Sequence, residues 1–278
     1  MPSAAVTDRV TGAGRPLWRV LHAEWTKLCT VRSTAWLAIA IVAFTVMLGA
    51  MVTASVDTSQ CPAPTECFED TTKLSLTGVW LGQAVVAVLA VLTVTTENGT
   101  RMIQTTLAVS PRRVTVLLAK ATAVTAIVVS GSTLGVLASV VAGRFILRSN
   151  GFTDANGYPP LSLTDGPTLR AAVGTVLYLG LIALLSLGVG AIACDTAGAL
   201  TTMLTLLYVL PVLAELVSDP EWSERFQKLT PTTAGLAVQA TQRLDELPIG
   251  PWAGLGVLAA YAAAAMLGGT LLFRARDA

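Results

Sequence analysis

Six long apolar stretches, separated by segments that carry the charged residues, organise this chain. They run 35–54, 76–96, 121–143, 171–193, 196–214 and 252–273, and none contains Asp, Glu, Lys or Arg. A helix of roughly 20 apolar residues crosses the hydrocarbon core of a bilayer, and lipid requires the backbone to satisfy its own hydrogen bonds. The pattern therefore predicts an all-α integral membrane protein with six transmembrane helices in a single domain, 1–278.

Composition agrees with this class. Hydrophobic residues make up 53% of the 278 residues and charged residues 13%, against about 25% charged residues in soluble domains. The net charge of +1 gives no reason to expect a nucleic-acid partner. The four cysteines lack the spacing of metal ligands, and no catalytic, cofactor or metal site is expected in this chain.

The distribution of basic residues predicts the orientation. With both termini and the loop 97–120 in the cytoplasm, 11 of the 18 Lys and Arg residues lie inside, including the densest clusters. An excess of Lys and Arg on cytoplasmic loops is the rule for membrane proteins. We therefore expect residues 55–75, 144–170 and 215–251 outside.

The cytoplasmic segment 1–34 ends in a predicted amphipathic helix, Pro16 to Thr34. Its apolar residues recur at helical spacing and are Leu17, Trp18, Leu21, Trp25, Leu28 and Cys29. Helices that combine tryptophans with basic residues lie in the membrane interface. The alternative is a simple anchor for the first span.

The inner loop offers a second candidate helix. Asn98 or Gly99 can close the preceding span, and Ser110-Pro111 ends the segment because the residue before proline avoids helical geometry. Between them Met102, Ile103 and Leu107 form a possible apolar stripe. The alternative is an ordinary connecting loop with inside-positive arginines.

Two segments resemble one known family. Glu24-Trp-Thr-Lys-Leu28 with Arg32-Ser-Thr34, and Glu97 through Arg113, are similar to the ABC-2 type permeases, the membrane subunits of bacterial type V exporters. The basic ending Arg274-Ala-Arg-Asp-Ala278 is also similar. One departure is that Gly99-Thr100 comes early and Arg101 follows it, whereas the family often has the arginine first.

The resemblance implies a function and its partners. Two permease copies, or a copy and a paralogue, pair in the plasma (inner) membrane with separate cytosolic ATPases that bind ATP. This chain, which has no Gly-x-x-x-x-Gly-Lys-Ser/Thr motif, would not be an enzyme. The coupling residues implied are Glu97, Arg101, Met102, Ile103, Leu107, Arg112 and Arg113, with Trp25 and Lys27 in the adjoining interfacial helix.

A secondary transporter or channel-like six-helix protein is the alternative function, and the lack of charge within the predicted spans weighs against ion coupling. An intramembrane enzyme is disfavoured because the single histidine, His22, lies outside the spans. The substrate is not revealed; walls rich in Ser and Thr, with Gln83, suit amphipathic drugs, lipids or peptides alike.

Small residues and prolines predict details of packing. Gly131 and Gly135 in the third span, and Gly256 and Gly268 in the sixth, belong to small-residue ridges that let helices approach closely. Intramolecular packing is favoured over dimerisation. Pro211 is expected to kink the fifth span, and the prolines in 218–251 indicate short helices there, either re-entrant or on the surface.

Cys61 and Cys67 are predicted to form a disulfide. Five residues, two of them prolines, separate the two cysteines, and an external space is oxidising enough for such a bond to persist. We expect Cys29 and Cys194 to stay reduced. Mass analysis of unreduced peptides checks this, and two free thiols in that loop would contradict it.

The orientation is testable with single cysteines at positions 100 and 160 in a cysteine-free background. Because the two loops are assigned to opposite sides, a membrane-impermeant thiol reagent applied to intact cells should label position 160 only. Labelling of position 100 from outside would overturn the orientation.

Overall fold

The protein is described by a computed structural model for residues 17–56, 70–99, 113–153, 158, 161–217 and 219–275. Helix accounts for 87% of the structure, and no strand occurs in these ranges. Six helical segments are long and apolar enough to cross a membrane. The predicted all-α, six-span architecture is confirmed at this level.

The first four spans and their neighbours follow in chain order. They are α1 (Leu17–Thr30), α2 (Arg32–Ser55, the first span), α3 (Thr71–Leu76), α4 (Val79–Gly99, the second), α5 (Arg113–Ser149, the third) and α6 (Gly166–Ala193, the fourth).

The remaining elements form the fifth span, the segment that follows it and the sixth span. They are α7 (Thr196–Leu204), a π-helical turn (Thr205–Val209), α8 (Leu210–Glu215), α9 (Pro220–Leu229), α10 (Pro231–Leu236), 3-10 turns at Ala237–Gln239 and Leu244–Glu246, and α11 (Pro251–Ala275).

The helix of the third span is longer than its apolar stretch. α5 has 37 residues, which at 1.5 Å per residue is about 55 Å, well beyond a hydrocarbon core of about 30 Å. The predicted inner loop 97–120 therefore ends too late, because residues 113–120 are helical and include Lys120. Arg144 and Arg148, placed in an outer loop by the sequence, also belong to this helix.

A break at Val31 divides the predicted N-terminal helix from the first span. Val31 has extended backbone angles (φ −79°, ψ 116°), and α2 starts at the next residue. The Val31 N–H still donates to the Lys27 carbonyl at 3.1 Å. The helical hydrogen bonding of α1 therefore continues to Val31, and the chain changes direction at this residue. Residues 32–34, predicted to end the interfacial helix, are instead the first turn of α2.

The fourth span lies at the centre of the bundle. In α6, 61% of the most apolar stretch is buried within the protein, against 22% for the first and sixth spans. α6 packs against α4, α5 and α11, and its buried side chains include Tyr178, Leu179, Ile182 and Leu187. The outer spans expose large apolar side chains such as Trp36 and Leu267, as expected for a surface that faces lipid.

Glycines permit the closest helix contacts. A Cβ on Gly78 would lie 1.7 Å from the Thr45 carbonyl oxygen, and one on Gly254 would lie 1.9 Å from the Ala234 carbonyl oxygen. Neither backbone oxygen can move aside. Apolar side chains gain little by leaving lipid for the bundle, so close backbone approach is a main source of stability in membrane helices.

Many serine and threonine hydroxyls in the spans hydrogen-bond within their own helices, although the buried hydroxyls of Thr125 and Ser139 in the third span have no hydrogen-bond partner among the described residues. Thr45, Ser132, Thr175 and Ser186 each donate a hydroxyl to the carbonyl four residues earlier, at 2.6–2.7 Å. This pairing removes the cost of an unsatisfied hydroxyl in an apolar interior. These residues are therefore compatible with transmembrane helices and do not by themselves mark a polar path.

The segment between the fifth and sixth spans folds back onto the bundle. Asp219 caps α9 by accepting a hydrogen bond from the Glu221 N–H at 3.0 Å. α10 is buried: Gly235 packs against Tyr178 and Leu258, and Val238 packs against Gly174. The short helix predicted from the run after Pro231 is thus present and lies between α6 and α11.

One carboxylate fastens this segment at the end of the bundle opposite α1. Asp70 accepts hydrogen bonds from the Thr241 N–H at 2.5 Å, the Thr241 hydroxyl at 2.7 Å and the Gln242 N–H at 3.2 Å. It also caps α3 through the Lys73 N–H at 3.0 Å. Asp70 thereby joins the start of the second span to the loop that follows α10.

The close contact at Gly254 predicts a matched pair of variants. Gly254→Ala forces a methyl group into a backbone oxygen and should destabilise the protein by about 1–3 kcal/mol, the usual cost of overpacking. Gly256→Ala, two residues along the same helix, meets nothing within 4 Å and should have almost no effect. Thermal unfolding in detergent measures both, and equal stability of the two variants would contradict the packing.

Candidate functional site

The N-terminal helix is joined to the third span by a small apolar contact. Val20 of α1 packs with Val116 and Ala119 of α5, with Leu21 at the edge. Leu28, in the last turn of α1, belongs to the main core. α1 is therefore fixed against the helices at the end of the bundle where α4 ends and α5 begins.

A cluster of three charges, two of them buried, lies beside this contact. The Glu24 carboxylate is 2% exposed; its Oε2 accepts from Lys120 Nζ of α5 at 2.8 Å, and its Oε1 accepts from Lys27 Nζ at 2.7 Å. The Lys120 side chain is 6% exposed and that of Lys27 38%. One acidic side chain of α1 thus contacts a lysine 96 residues away in the chain.

The electrostatics of Glu24 balance two opposing effects. Burial alone raises the pKa of Glu24, because it disfavours the charged form, but the ammonium groups of Lys120 and Lys27 outweigh burial and hold that pKa below its ordinary value. Glu24 is therefore ionised at neutral pH. A buried pair of this kind gives little net stability, yet losing one partner is costly because the other charge stays buried.

A cleft opens beside the charge cluster. Its volume is about 310 Å³, and it lies between α1, the start of α2 and α4. Leu28, Leu37 and Leu89 line its apolar part, while Glu24 and Lys120 contribute polar groups. The cleft is at the end of the bundle predicted to face the cytoplasm.

The apolar face that the sequence predicts for α1 differs from the face of α1 that packs against the bundle. Trp18 is 70% exposed and Trp25 42% exposed, and Cys29 is exposed as well. The face that meets the bundle carries Val20, Glu24 and Leu28. The tryptophans therefore face away from the bundle, which agrees with a helix that has lipid on one side and protein on the other.

Most of the predicted coupling segment lies outside the described residues, namely Arg101, Met102, Ile103, Leu107 and Arg112. Glu97 belongs to the last turn of α4, and Arg113 begins α5; the structure describes only their backbones. Trp25 and Lys27 lie on α1. Both ends of the segment are therefore at the end of the bundle that holds the charge cluster. Cys61 and Cys67, the predicted disulfide, also lie outside the described residues.

The predicted packing glycines divide into three that contact other helices and one that does not. Gly131 and Gly135 face the first span, where Ala38 and Val42 are their nearest backbone neighbours. Gly268 faces α6, because a Cβ at this position would lie 3.2 Å from Cδ1 of Ile192. Gly256 has nothing within 4 Å among the described residues, so its ridge does not pack against them.

The predicted kink at Pro211 coincides with a change of helix type. The five residues Thr205–Val209 form a π-helical turn, and Pro211 stands in the first turn of α8 directly after it. Proline removes the N–H that would bond to the carbonyl of Leu207 and crowds that carbonyl. A wider π turn at this place accommodates the missing bond.

Several interior polar groups pair with one another, although the amide nitrogen Nε2 of Gln83 has no hydrogen-bond partner among the described residues. The Tyr178 hydroxyl donates to Gln83 Oε1, and the Tyr208 hydroxyl donates to the Trp80 carbonyl. Gln239, after α10, reaches Thr175 of α6 at 3.3 Å. Gln83 is fully buried, so the expectation that it lines an accessible wall is wrong for this conformation.

The most informative contact is one that the sequence does not predict. In the sequence, Glu24 is part of the motif that resembles the family but is not among the predicted site residues. Lys120 is the last residue of the predicted loop 97–120. The sequence does indicate that Glu24 lies on a buried face. Helical spacing places its carboxylate beside the apolar residues Val20, Leu21 and Leu28. Its partner on α5 cannot be deduced from one sequence.

These features define a multi-pass membrane protein with a charge-locked helix at one end. Across the described ranges, no group of three or more His, Cys, Asp or Glu side chains is placed to hold a metal ion. No protein-family model and no curated protein matches the chain. The role of the charge cluster therefore has to be inferred from its own chemistry.

The buried ion pair predicts a non-additive mutation cycle. Glu24→Gln leaves Lys120 buried without this carboxylate, and Lys120→Met leaves Glu24 short of a partner, so each should cost about 3–5 kcal/mol. The double variant should lose less than the sum of the two, because each change removes the reason for the other's penalty. Thermal unfolding of the detergent-solubilised protein measures all three.

The acid dependence and an exposed pair serve as controls. Since the folded-state pKa of Glu24 is lowered, its stabilising effect is present above the ordinary carboxyl pKa of about 4.3 and is lost as pH falls through the folded value. Glu24→Gln should therefore differ from wild type most at neutral pH. Lys228→Gln, which breaks an exposed pair with Glu224, should leave the melting temperature unchanged. Strict additivity in the cycle would contradict the coupling.

Proposed function

We propose that this chain is the membrane-spanning permease subunit of an ATP-driven ABC exporter. It forms part of the translocation path, works as a pair of permease copies or paralogues in the plasma membrane, and is moved by a separate cytosolic ATPase that binds the ATP. The chain itself hydrolyses nothing in this proposal.

The observation that carries the proposal is the attachment of α1 to α5 through Glu24 and Lys120. An element that transmits motion from a cytosolic motor has to be joined to the transmembrane helices by contacts that do not slip. A buried ion pair with apolar packing on one side meets this requirement, since sliding would separate desolvated charges. The joint involves a side chain of α1 and one of the third span.

The length and position of α5 support the same proposal. About 55 Å of helix exceeds the hydrocarbon thickness by roughly 25 Å, so its ends extend past the core. Its first residue, Arg113, follows the segment that resembles the family's transmission helix. A push on residues 100–112 would therefore act directly on the start of α5, next to the α1 joint.

The sequence resemblance is the reason for proposing an ABC ATPase as the motor. Both segments that resemble ABC-2 permeases, Glu24–Thr34 and Glu97–Arg113, meet this end of the bundle: the first forms the second half of α1 and the start of α2, and the second connects α4 to α5. Two motifs far apart in sequence thus relate to one location. A secondary transporter would not require this pairing.

Two substitutions in the connecting segment test the coupling. A helix that is seated in a motor protein needs buried apolar residues, so Ile103→Asp and Leu107→Asp should leave membrane insertion intact and abolish substrate-stimulated ATP hydrolysis. A lost apolar contact of this kind costs about 2–5 kcal/mol, enough to reduce copurification of the ATPase at least about tenfold. The assay is copurification from native membranes followed by ATPase measurement.

The matched control is Leu244→Asp, which makes the same change on an exposed turn at the opposite end of the bundle. It should retain the partner and its activity. Undiminished copurification, ATPase stimulation and export in both inner variants would remove the coupling assignment. A wild-type chain that purifies without any ATPase and transports without ATP would remove the exporter proposal itself.

A further inference from the structure

The short helix α9 has three distinct faces. At 3.6 residues per turn, Trp222, Phe226 and Leu229 fall within an arc of roughly 60°. Ser223 and Gln227 fall on a second face, and the charged residues Glu221, Glu224 and Lys228 fall on a third. Each face meets different surroundings, which indicates the environment of the helix.

The second face contacts the protein. The Ser223 hydroxyl donates to the Ala214 carbonyl at 3.3 Å, at the end of the fifth span. The backbone carbonyl of Gln227 accepts a hydrogen bond from the Thr233 hydroxyl of α10 at 2.7 Å. α9 is thus held on one side by α8 and by α10.

The charged face is satisfied in water. Lys228 pairs with Glu224 at 2.7 Å, and the charged side chains of α9 are substantially exposed. The Arg225 guanidinium lies 5.3 Å from the ring centre of Trp222, at the border of the apolar face. Tryptophan with a neighbouring arginine is typical of the level of lipid headgroups.

The apolar face of α9 is about half exposed. Trp222 is 53% exposed, Phe226 45% and Leu229 61%. An exposed cluster of this size on so small a helix is unusual for a surface that meets only water. Leu213 and Leu216, shortly before α9 in the chain and at the end of the fifth span, are also exposed.

The two ends of α9 fix its level. Only residues 216–219 separate it from α8, which ends a transmembrane span. At its other end Thr230 is buried and leads directly into α10, which returns into the bundle. The helix cannot move far from the plane in which the fifth span leaves the membrane.

We propose that α9 lies at the lipid–water interface on the outer side of the membrane that the chain spans. Trp222, Phe226 and Leu229 are inserted among the lipids, and Glu221, Glu224 and Lys228 are in water. The occupant of the apolar face is the bilayer that surrounds the fifth span. α9 thereby anchors the outer end of that span and of the buried α10 to the lipid surface. This inference does not depend on the exporter proposal.

The experiment places one environment-sensitive probe at a time on α9. Single cysteines replace Phe226 or, as the matched control on the charged face, Glu224, in a chain whose native cysteines are changed to serine. Each is labelled with a nitrobenzoxadiazole thiol reagent and reconstituted into phosphatidylcholine vesicles. Quenching is compared for a headgroup-proximal doxyl phosphatidylcholine and for iodide present on both sides of the bilayer.

The probe at position 226 should show blue-shifted emission, strong quenching by the doxyl lipid, and at least about threefold less iodide quenching than the probe at 224, because an inserted side chain is shielded from water. Equal iodide quenching at the two positions would mean that the apolar face meets water and would overturn the proposal. Protection of position 226 from both quenchers would also overturn it, because a second copy of the chain would then cover the face.

Discussion

Close approach of helix backbones is the constraint on which the bundle depends. Lipid solvates apolar side chains as well as the protein interior does, so burial of leucines cannot hold six helices together. The structure relies instead on contacts such as Gly78 with the Thr45 carbonyl and Gly188 with Ala265. These contacts fix how deeply α4 meets α2 and how closely α6 meets α11. Once α6 is fixed between its neighbours, the pockets for Tyr178 and for α10 follow.

Polar contacts then select one arrangement of the packed helices. Each joins parts of the chain that are far apart in sequence: Glu24 to Lys120, Asp70 to Thr241, and Gln83 to Tyr178. An apolar interface tolerates a shift of one turn, whereas a buried polar group that loses its partner is strongly penalised. The few polar side chains in the bundle therefore contribute more to register than to total stability.

The sequence predicts the elements much better than their contacts. Six apolar runs predict six helices, since only the length and the absence of charge matter for crossing lipid. The same runs underestimate α5, because hydropathy measures the part of a helix that lies in lipid, and Lys120, Arg144 and Arg148 belong to the helix beyond it. Proline capping predicts α9 and α10 from Pro220 and Pro231, where local chemistry determines where a helix begins. The sequence does not predict which face of α1 contacts the bundle, because the apolar face of an interfacial helix can contact either lipid or protein. A single sequence contains Glu24 and Lys120 but no information that pairs them, and the candidate site depends on that pair.

The ends and the middle of the bundle are held by different chemistry. In the interior the contacts are neutral hydrogen bonds such as Tyr178 with Gln83, both fully buried. At the end of the bundle that holds α1 the contact is ionic, and Lys27 is partly exposed, so water can solvate these charges when the pair separates. Because solvation offsets part of the Coulomb energy lost, opening this joint costs less than separating charges in lipid would. A displacement of α1 therefore has a free-energy cost that stabilises the joint but can be overcome. The interior contacts keep α6 in register.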